Sequence, residues 1–440
     1  MIKHRRDPMY PPIVTVPTLD SEPDCARDTD KASRAGHAGG AGHVGEPLRA
    51  PRGLIAERRA FDSISRDTWD RLAGLNPWAT PFSAWGFHRA WWDAYGENAH
   101  DQTLVILDPD AAPTADPVAI VPLMHRHVVE AGDAETRTSI RHGTEASLTP
   151  VAPTAKAVYL GATYHADYAT LLADPLDLPE VADAVVDALA GHVAIDPRHP
   201  APWDVIDLRR FRTGDPAADA LAAAFGAREI AEGWTLNLEP EDVCPVAALP
   251  GDGKPGTATI DDFLGTLGKH DRHEIRRKVR RAEAAGQIEL VDATDPLGDL
   301  QSFIELHQAR WGDEGLFPPT RGGDQSRVFV SRMLELLGPD TTAPVGHAHL
   351  SFLTLDGARI GASIFFITRD ALLYYNAGVS PDARAISPGV VMVERLARRA
   401  LSLGLCRLDF LRGDEPYKYE WGAIDEPIQR LLVRRRVASA

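Results

Sequence analysis

The sequence predicts an α/β protein: a mixed sheet with helices on its faces, built from two similar halves. Three observations predict it. The chain of 440 residues is longer than one hydrophobic core usually grows. Its helix-like and strand-like segments run through the same order twice. Each half closes on a strand, a helix and a strand, the pattern of a βαβ crossover.

Before the halves, Met1 to about Ile55 is rich in Pro, Gly, Asp and Arg, and "RAGHAGGAGHVGEP" shows no period of two or of 3.6. Residues 1–55 therefore read as a disordered tail, with His4, His37 and His43 as tail residues and not metal ligands. The first half spans 56–245. In it "FSAWGFHRAWWDAYG" reads as an aromatic helix, and "QTLVILDPD" with "DPVAIVPLMHR" as a hairpin. The strand "YHADYATLLADP", the helix "LPEVADAVVDALAGH" and the strand "WDVIDLRRF" follow.

The second half, 246–440, repeats that order. "FIELHQARWGDEGL" is its helix, and "AHLSFLTLDGARIGASIFFI" its hairpin, with Asp356-Gly357 at the turn. "ALLYYNAGVSP", "SPGVVMVERLARRALSLG" and "CRLDFLRG" supply the closing strand, helix and strand. The matching tryptophans, and Asp207 against Asp409, favour a duplication. Between the halves, Ile275, Val279 and Ala282 make a narrow apolar stripe on a basic helix that stops at Gly286. From Lys269 to Glu283 it holds seven Lys/Arg against three Asp/Glu. That face is either solvated or part of an anion site.

The whole chain is acidic, with 47 Lys+Arg against 63 Asp+Glu and a formal charge of −16. This argues against a general nucleic-acid or anionic-membrane surface. Cys25, Cys244 and Cys406 lie far apart and imply neither a disulfide framework nor a zinc site. A reducing cytoplasm fits them. Pro and Asp interrupt the only apolar run near Met1, and no run of about 18 apolar residues follows, so the chain reads as soluble.

Two stretches can carry chemistry. At "RAISPGVV", Ser387 suits an N-cap, Pro388 the first helical position, and Gly389 leaves room for close approach of an anion to the helix start. "LDFLRGDEPYKYEWG" then places Arg412, Asp414, Tyr417, Lys418 and Trp421 just past a strand end. A Tyr can donate a proton, a carboxylate can accept one, and a Lys can hold a phosphate. The same stretch also reads as a surface turn around packed aromatic rings. His307 and Arg310 share a helix face, where His307 is either a base or a buried structural histidine. His347 and His349 alternate on a strand with no third ligand at metal spacing. P-loop, dinucleotide-fold and G-x-S-x-G motifs are all missing.

Taken together, "PFSAWGFHRAWWDAYG", "KHDRHEIRRKVRRAEAAG", "LHQARWGDEGLF", "YYNAGVSPDARAISPGVVMVERL" and "LDFLRGDEPYKYEWG" resemble the CelD/BcsL-type acetyltransferases, a branch of the GNAT superfamily. The likeness runs from about Phe61 to Arg436. It implies a tandem of two GNAT-like folds, akin to the Fem-type aminoacyl transferases, and acyl transfer from acetyl-CoA as cosubstrate to an amine or hydroxyl, with no resident cofactor. It also implies a CoA pyrophosphate loop, which "RAISPG" matches through Arg384 and Gly389 but departs from at Ser387, where the family has glycine. By the same likeness Tyr375 and Asn376 lie along the thioester, Tyr417 protonates the thiolate, and His307 or Asp414 is the base. Arg310, Trp311, Arg412, Lys418 and Trp421 would meet substrate. The first half would have lost cofactor binding and would shape the acceptor cleft for a small molecule or saccharide. Two alternatives stand beside this: a Fem-like transferase using aminoacyl-tRNA, with the basic helix facing RNA, and a non-catalytic accessory protein of polysaccharide synthesis.

Overall fold

The computed structural model describes residues 52–112, 114–126, 148–152, 154–190 and 203–435. Nearly all of the expected tail lies outside the described residues. The first half runs through β1 (Ile55–Arg58), α1 (Arg66–Leu75), α2 (Trp85–Tyr95), β2 (Ala99–Asp101), β3 (Leu104–Leu107), β4 (Ala119–Val121), β5 (Leu123–Arg126), β6 (Ala157–Leu160), β7 (Leu172–Ala173), α3 (Leu178–Ala190), β8 (Val205–Arg212), α4 (Pro216–Glu232) and β9 (Trp234–Ala248). The second continues through α5 (Ile260–Thr266), α6 (Lys269–Ala285), β10 (Ile288–Asp292), α7 (Pro296–Trp311), α8 (Arg321–Leu337), β11 (His347–Leu355), β12 (Ala358–Ile367), β13 (Ala371–Val379), α9 (Pro388–Ser402), β14 (Arg407–Asp409), α10 (Pro416–Tyr419) and β15 (Ile424–Arg435).

Local chemistry explains several of these boundaries. Asp215 caps α4 by accepting from the Ala217 N–H, Pro216 opens the helix, and Gly233 closes it at φ +67°. Thr259 and Asp262 form a reciprocal capping box at α5. The β11–β12 hairpin turns at Asp356 and Gly357, both at positive φ, as that dipeptide predicts.

Eleven strands form the main sheet, in the order β10-β11-β12-β13-β14-β9-β15-β8-β6-β5-β2. Both expected crossovers are present: β6 and β8 run parallel around α3, and β13 and β14 run parallel around α9. At the centre β9 and β15 pair antiparallel, from Trp234 opposite Arg435 to Val246 opposite Ile424. β9, the last strand of the first half, also pairs with β14 of the second. β15, the last strand of the second half, also pairs with β8 of the first. Each half thus completes its sheet with the other's final strand, and the boundary expected at 245/246 falls inside β9.

Side chains alternate along β13. Ala371, Leu373 and Tyr375 face a core shared by α2, α7 and α8, while Leu372 and Tyr374 face the core under α9. In the shared core α2 and α8, one from each half, meet edge to face through Phe87 and Phe329, 5.2 Å apart. Each fully buried ring contributes roughly 1.5–3 kcal/mol, so this contact couples the halves in addition to the sheet.

The first half departs from its expected pattern in one place. The strand that pairs with β8 is β6, upstream of "YHADYATLLADP". After Leu160 the chain leaves the sheet, with Ala162 at φ +60°, and rejoins it at Ala169, bridged in parallel to Phe211. The detour, Gly161–Tyr168, projects into the second half. Tyr168 there donates to Asp409 Oδ2 at 2.8 Å. Pro122 explains a second departure by interrupting the hairpin arm, so that β4 joins a small sheet, β1-β3-β4-β7, while β5 joins the main one.

Candidate active site

β13 and β14 pair only over Ala371–Leu373 and Arg407–Asp409. Beyond that they separate: β13 continues along β12, while the other chain turns away through Leu411 at φ +55° and Gly413 at φ +118°. A register shift in the β12 pairing makes Tyr375 a bulge between Tyr374 and Asn376. A cleft of about 680 Å³ opens between the diverging strands. It lies at the carboxyl ends of parallel strands, where ligands bind in open α/β sheets. On this side the edge of β13 from Tyr374 to Val379 pairs with no strand among the described residues, so backbone polar groups there face the cleft.

One end of the cleft gathers a helix start and cationic side chains. Ser387, Pro388, Gly389 and Val390 at the start of α9 line it, with Arg384 just before them. Gly389 borders open space, where an added Cβ would meet nothing within 4 Å. Ser387 occupies the N-cap position, but its side chain does not cap. Its left-handed backbone, φ +54°, turns Oγ outward, where it accepts from Arg281 of α6 at 2.8 Å. A glycine would take that conformation without strain, which accounts for glycine there in the loop the sequence resembles. Arg384 is exposed and has no ion-pair partner among the described residues. The 15-residue α9 adds its positive dipole end. Elsewhere on α6 the basic face is partly neutralised: Arg276 pairs with Asp261, Arg277 with Glu274 and Lys278 with Glu420.

The interior is aromatic. Tyr374, Phe410 and Tyr417 stack edge to face at 6.2 and 6.0 Å, and Trp421 lies beneath them against Phe263. Burial pushes the Tyr417 hydroxyl well above its ordinary pKa, so it keeps its proton at neutral pH. That hydroxyl has no hydrogen-bond partner among the described residues. Trp311 closes the outer rim, its indole N–H donating to the Ala377 carbonyl at 3.0 Å. Arg310 beside it lies 4.8 Å from the Trp311 ring.

Of the residues singled out from the sequence, Arg310, Trp311, Tyr375, Asn376, Arg384, Ser387, Gly389, Arg412, Tyr417, Lys418 and Trp421 all line the cleft. His307 does not. It is 2% exposed, packed among Phe303, Trp311 and Phe317, and burial lowers its pKa to about 4. Asp414 is also buried off the cleft, and its neighbour Glu415 lines the wall instead. Lys418 reaches the wall with its stem only. Its ammonium folds back to the carbonyls of Leu411, Arg412 and Gly413, at 3.1, 3.0 and 2.9 Å, and to Glu415 at 2.9 Å. The expected phosphate ligand is therefore the pin of its own turn, because three orphan carbonyls lie within its reach.

Two contributors went unseen in the sequence. Asp167, from the first-half detour, lines the cleft and accepts from Arg412 Nε at 3.3 Å. Nothing local marks it out. Arg281 was foreshadowed by the basic helix, though not as the particular cation that reaches Ser387. Asp409, at the end of β14, is buried, and burial raises its pKa to about 6 while Tyr168 and the Leu411 N–H donate to it. In the first half the corresponding helix start is already occupied. Arg52 binds Glu180 through its backbone N–H at 2.8 Å and Asp177 through its guanidinium at 2.7 Å, beside the first turn of α3.

Residues 269–419 match the family model described as an acetyltransferase (GNAT) domain, a span from the start of α6 to the end of α10. Among solved structures, the crystal structure of FemX is similar at 11% identity and TM-score 0.51, covering 85% of this chain and 96% of that one. At that identity the likeness concerns the fold, which is the mixed α/β architecture described above. A conserved protein of unknown function from Bacteroides thetaiotaomicron (10% identity, TM-score 0.48, covering 87% of this chain and all of that one) is more distant. So is a tandem GNAT protein from the clavulanic acid biosynthesis pathway (12%, 0.42, 88% and 100%). Among curated protein sequences none matches.

Proposed function

We propose that the chain is an acyltransferase of the CelD/BcsL type, moving acetyl from acetyl-CoA to an amine or hydroxyl acceptor in the cytoplasm. The observation that carries this reading is the divergence of β13 and β14 beside an α9 start furnished with Arg384 and Arg281. A pyrophosphate at Gly389 would meet the Gly389 N–H, the positive end of α9 and two guanidiniums. The pantetheine arm would follow the unpaired edge of β13 past Asn376, delivering the thioester to Tyr374 and Tyr417. Backbone N–H groups on that edge would stabilise the oxyanion as the acceptor attacks directly, without a covalent enzyme intermediate. Tyr417, kept protonated by burial, would supply the proton to the departing thiolate. Saccharides, amino sugars and peptides are the acceptor classes this reading admits, since cleft shape and not the fold selects among them.

Calorimetric titration with acetyl-CoA tests the reading. Saturable binding, weakened by Arg384→Ala, is expected. A folded protein that binds no acyl-CoA would instead be a non-catalytic accessory protein. Transfer from aminoacyl-tRNA is the other alternative. It requires a salt-sensitive RNA contact on α6, where three of the cations are already paired with carboxylates.

A further inference from the structure

We infer that Asp167, delivered by the first half, is the proton acceptor for an attacking amine in the second half's cleft. This rests on the acyl-transfer reading above and names its acceptor class.

The two sides of the diverging strands differ. The helix start with Ser387 and Arg384 lies on the α9 face of the sheet, where Tyr374 points. The detour Gly161–Tyr168 lies on the other face, among the side chains that pack with Tyr375. Its position is fixed: the Tyr375 hydroxyl donates to the His165 carbonyl at 3.0 Å, and the His165 ring stacks on Phe329 at 3.9 Å. Asp167 therefore meets the gap from the side opposite the anion site, where a second substrate can approach the thioester.

Elimination supports the same residue. Two carboxylates line the cleft, Asp167 and Glu415. Glu415 is held by the Lys418 ammonium at 2.9 Å. Asp167 is held through Oδ1 alone by Arg412, and its other oxygen has no partner among the described residues. It is 14% exposed, so a bound acceptor would shield it from water. Arg412 orients the carboxylate without consuming it.

The step balances. The neutral amine attacks the thioester carbonyl carbon, and the nitrogen of the tetrahedral adduct becomes positive and acidic. It gives one proton to Asp167 as the carbon–sulfur bond breaks. The thiolate takes a proton from Tyr417, and the proton on Asp167 returns to Tyr417 through solvent, leaving an amide and a thiol. An alcohol is a far weaker nucleophile when neutral and must give up its weakly acidic proton as it attacks, which needs a stronger base than an arginine-paired carboxylate, so the cleft selects amines.

The test uses the full chain, acetyl-CoA, and phenethylamine against 2-phenylethanol as probes, with released thiol measured chromogenically. Thiol release that depends on the amine and not on the alcohol is expected. Asp167→Asn should lower amine-dependent release by about 10²–10⁴-fold while leaving acetyl-CoA affinity within about twofold. Asp167→Glu keeps the pair with Arg412 but moves the oxygen. A loss of about tenfold or more in that variant supports the same conclusion even where the asparagine variant does not fold. Equal use of the alcohol, no amine dependence in a protein that binds acetyl-CoA, or release within about fivefold of wild type in folded variants each overturns the inference. No acetyl-CoA binding at all overturns the acyl-transfer reading itself.

Discussion

The two halves share a scaffold and differ where a ligand would touch it. In both, parallel strands flank a helix whose start faces the carboxyl ends of those strands. At α3 that start holds Asp177 and Glu180, bound by Arg52. At α9 it holds Ser387 and Gly389, with Arg281 and Arg384 turned toward them. The connections after the second parallel strand differ too. The first half builds the 17-residue α4, while the second makes a tight turn and the four-residue α10 that presents Tyr417. A duplicated fold keeps its hydrogen-bond ladder while a handful of side chains decide which copy binds anything.

Four experiments break or sharpen this contrast. The largest effect belongs to Tyr417, which has no counterpart in the α4 connection. Tyr417→Phe should reduce turnover by about 10²–10⁴-fold with acetyl-CoA affinity unchanged, and turnover within twofold of wild type would remove it from the mechanism. Next, Gly389→Asp makes α9 resemble α3. A carboxylate beside a bound phosphate should weaken acetyl-CoA binding by about 10–100-fold by calorimetry, with more of the loss at low salt. Unchanged affinity would place the phosphate elsewhere. Arg281→Ala removes one guanidinium from the same end and leaves the Ser387 backbone in place. A loss of about 10-fold is expected, the low end of the roughly 1.5–3 kcal/mol that one charged hydrogen bond contributes, because Arg281 is exposed.

The smallest effect concerns stability against pH. Burial lowers His88, His165 and His349 to about 3, below their ordinary 6.5. Groups depressed in the fold contribute stability that is present above about pH 6.5 and lost as pH falls toward 3. His88 belongs to the first half, His349 to the second, and His165 lies between. Thermal melts from pH 7 to pH 5 should show one transition moving to lower temperature. Two separate transitions would mean that the halves are less coupled than their shared core implies. Asp409 and Asp215, both raised to about 6, act in the opposite direction, favouring the fold below about pH 4 and losing that contribution by pH 6.

Much of this was legible in the sequence because it rests on local signals. The Asp356-Gly357 turn, the Ser387-Pro388-Gly389 helix start and the crossover strands are set within a few residues of themselves. Most of the residues chosen around the cleft also line it. What failed depended on distant partners. His307 sits on the right helix, but which side of α7 meets the cleft is decided by packing against Phe303 and Phe317. Lys418 looked like a free cation until the turn at Gly413 aimed three carbonyls at it. Asp167 enters through a strand detour that no periodicity announces, 245 residues from the arginine it meets.

The exchange of β9 and β15 bears on how such a chain could arise and how it can be dissected. Two identical single-copy chains that traded their last strands would form a swapped dimer with a two-fold axis between those strands. Joining them end to end gives the topology seen here, and frees one copy from the selection that kept its ligand site. The same exchange warns against cutting the chain at 245/246. The first fragment would lose β15 from its β8 edge, and the second would keep only the Val246–Ala248 end of β9 and leave β15 without its partners, so both would carry an open edge ready to pair with any exposed strand. Separated halves are therefore best produced together in one cell, so that each supplies the other's missing strand.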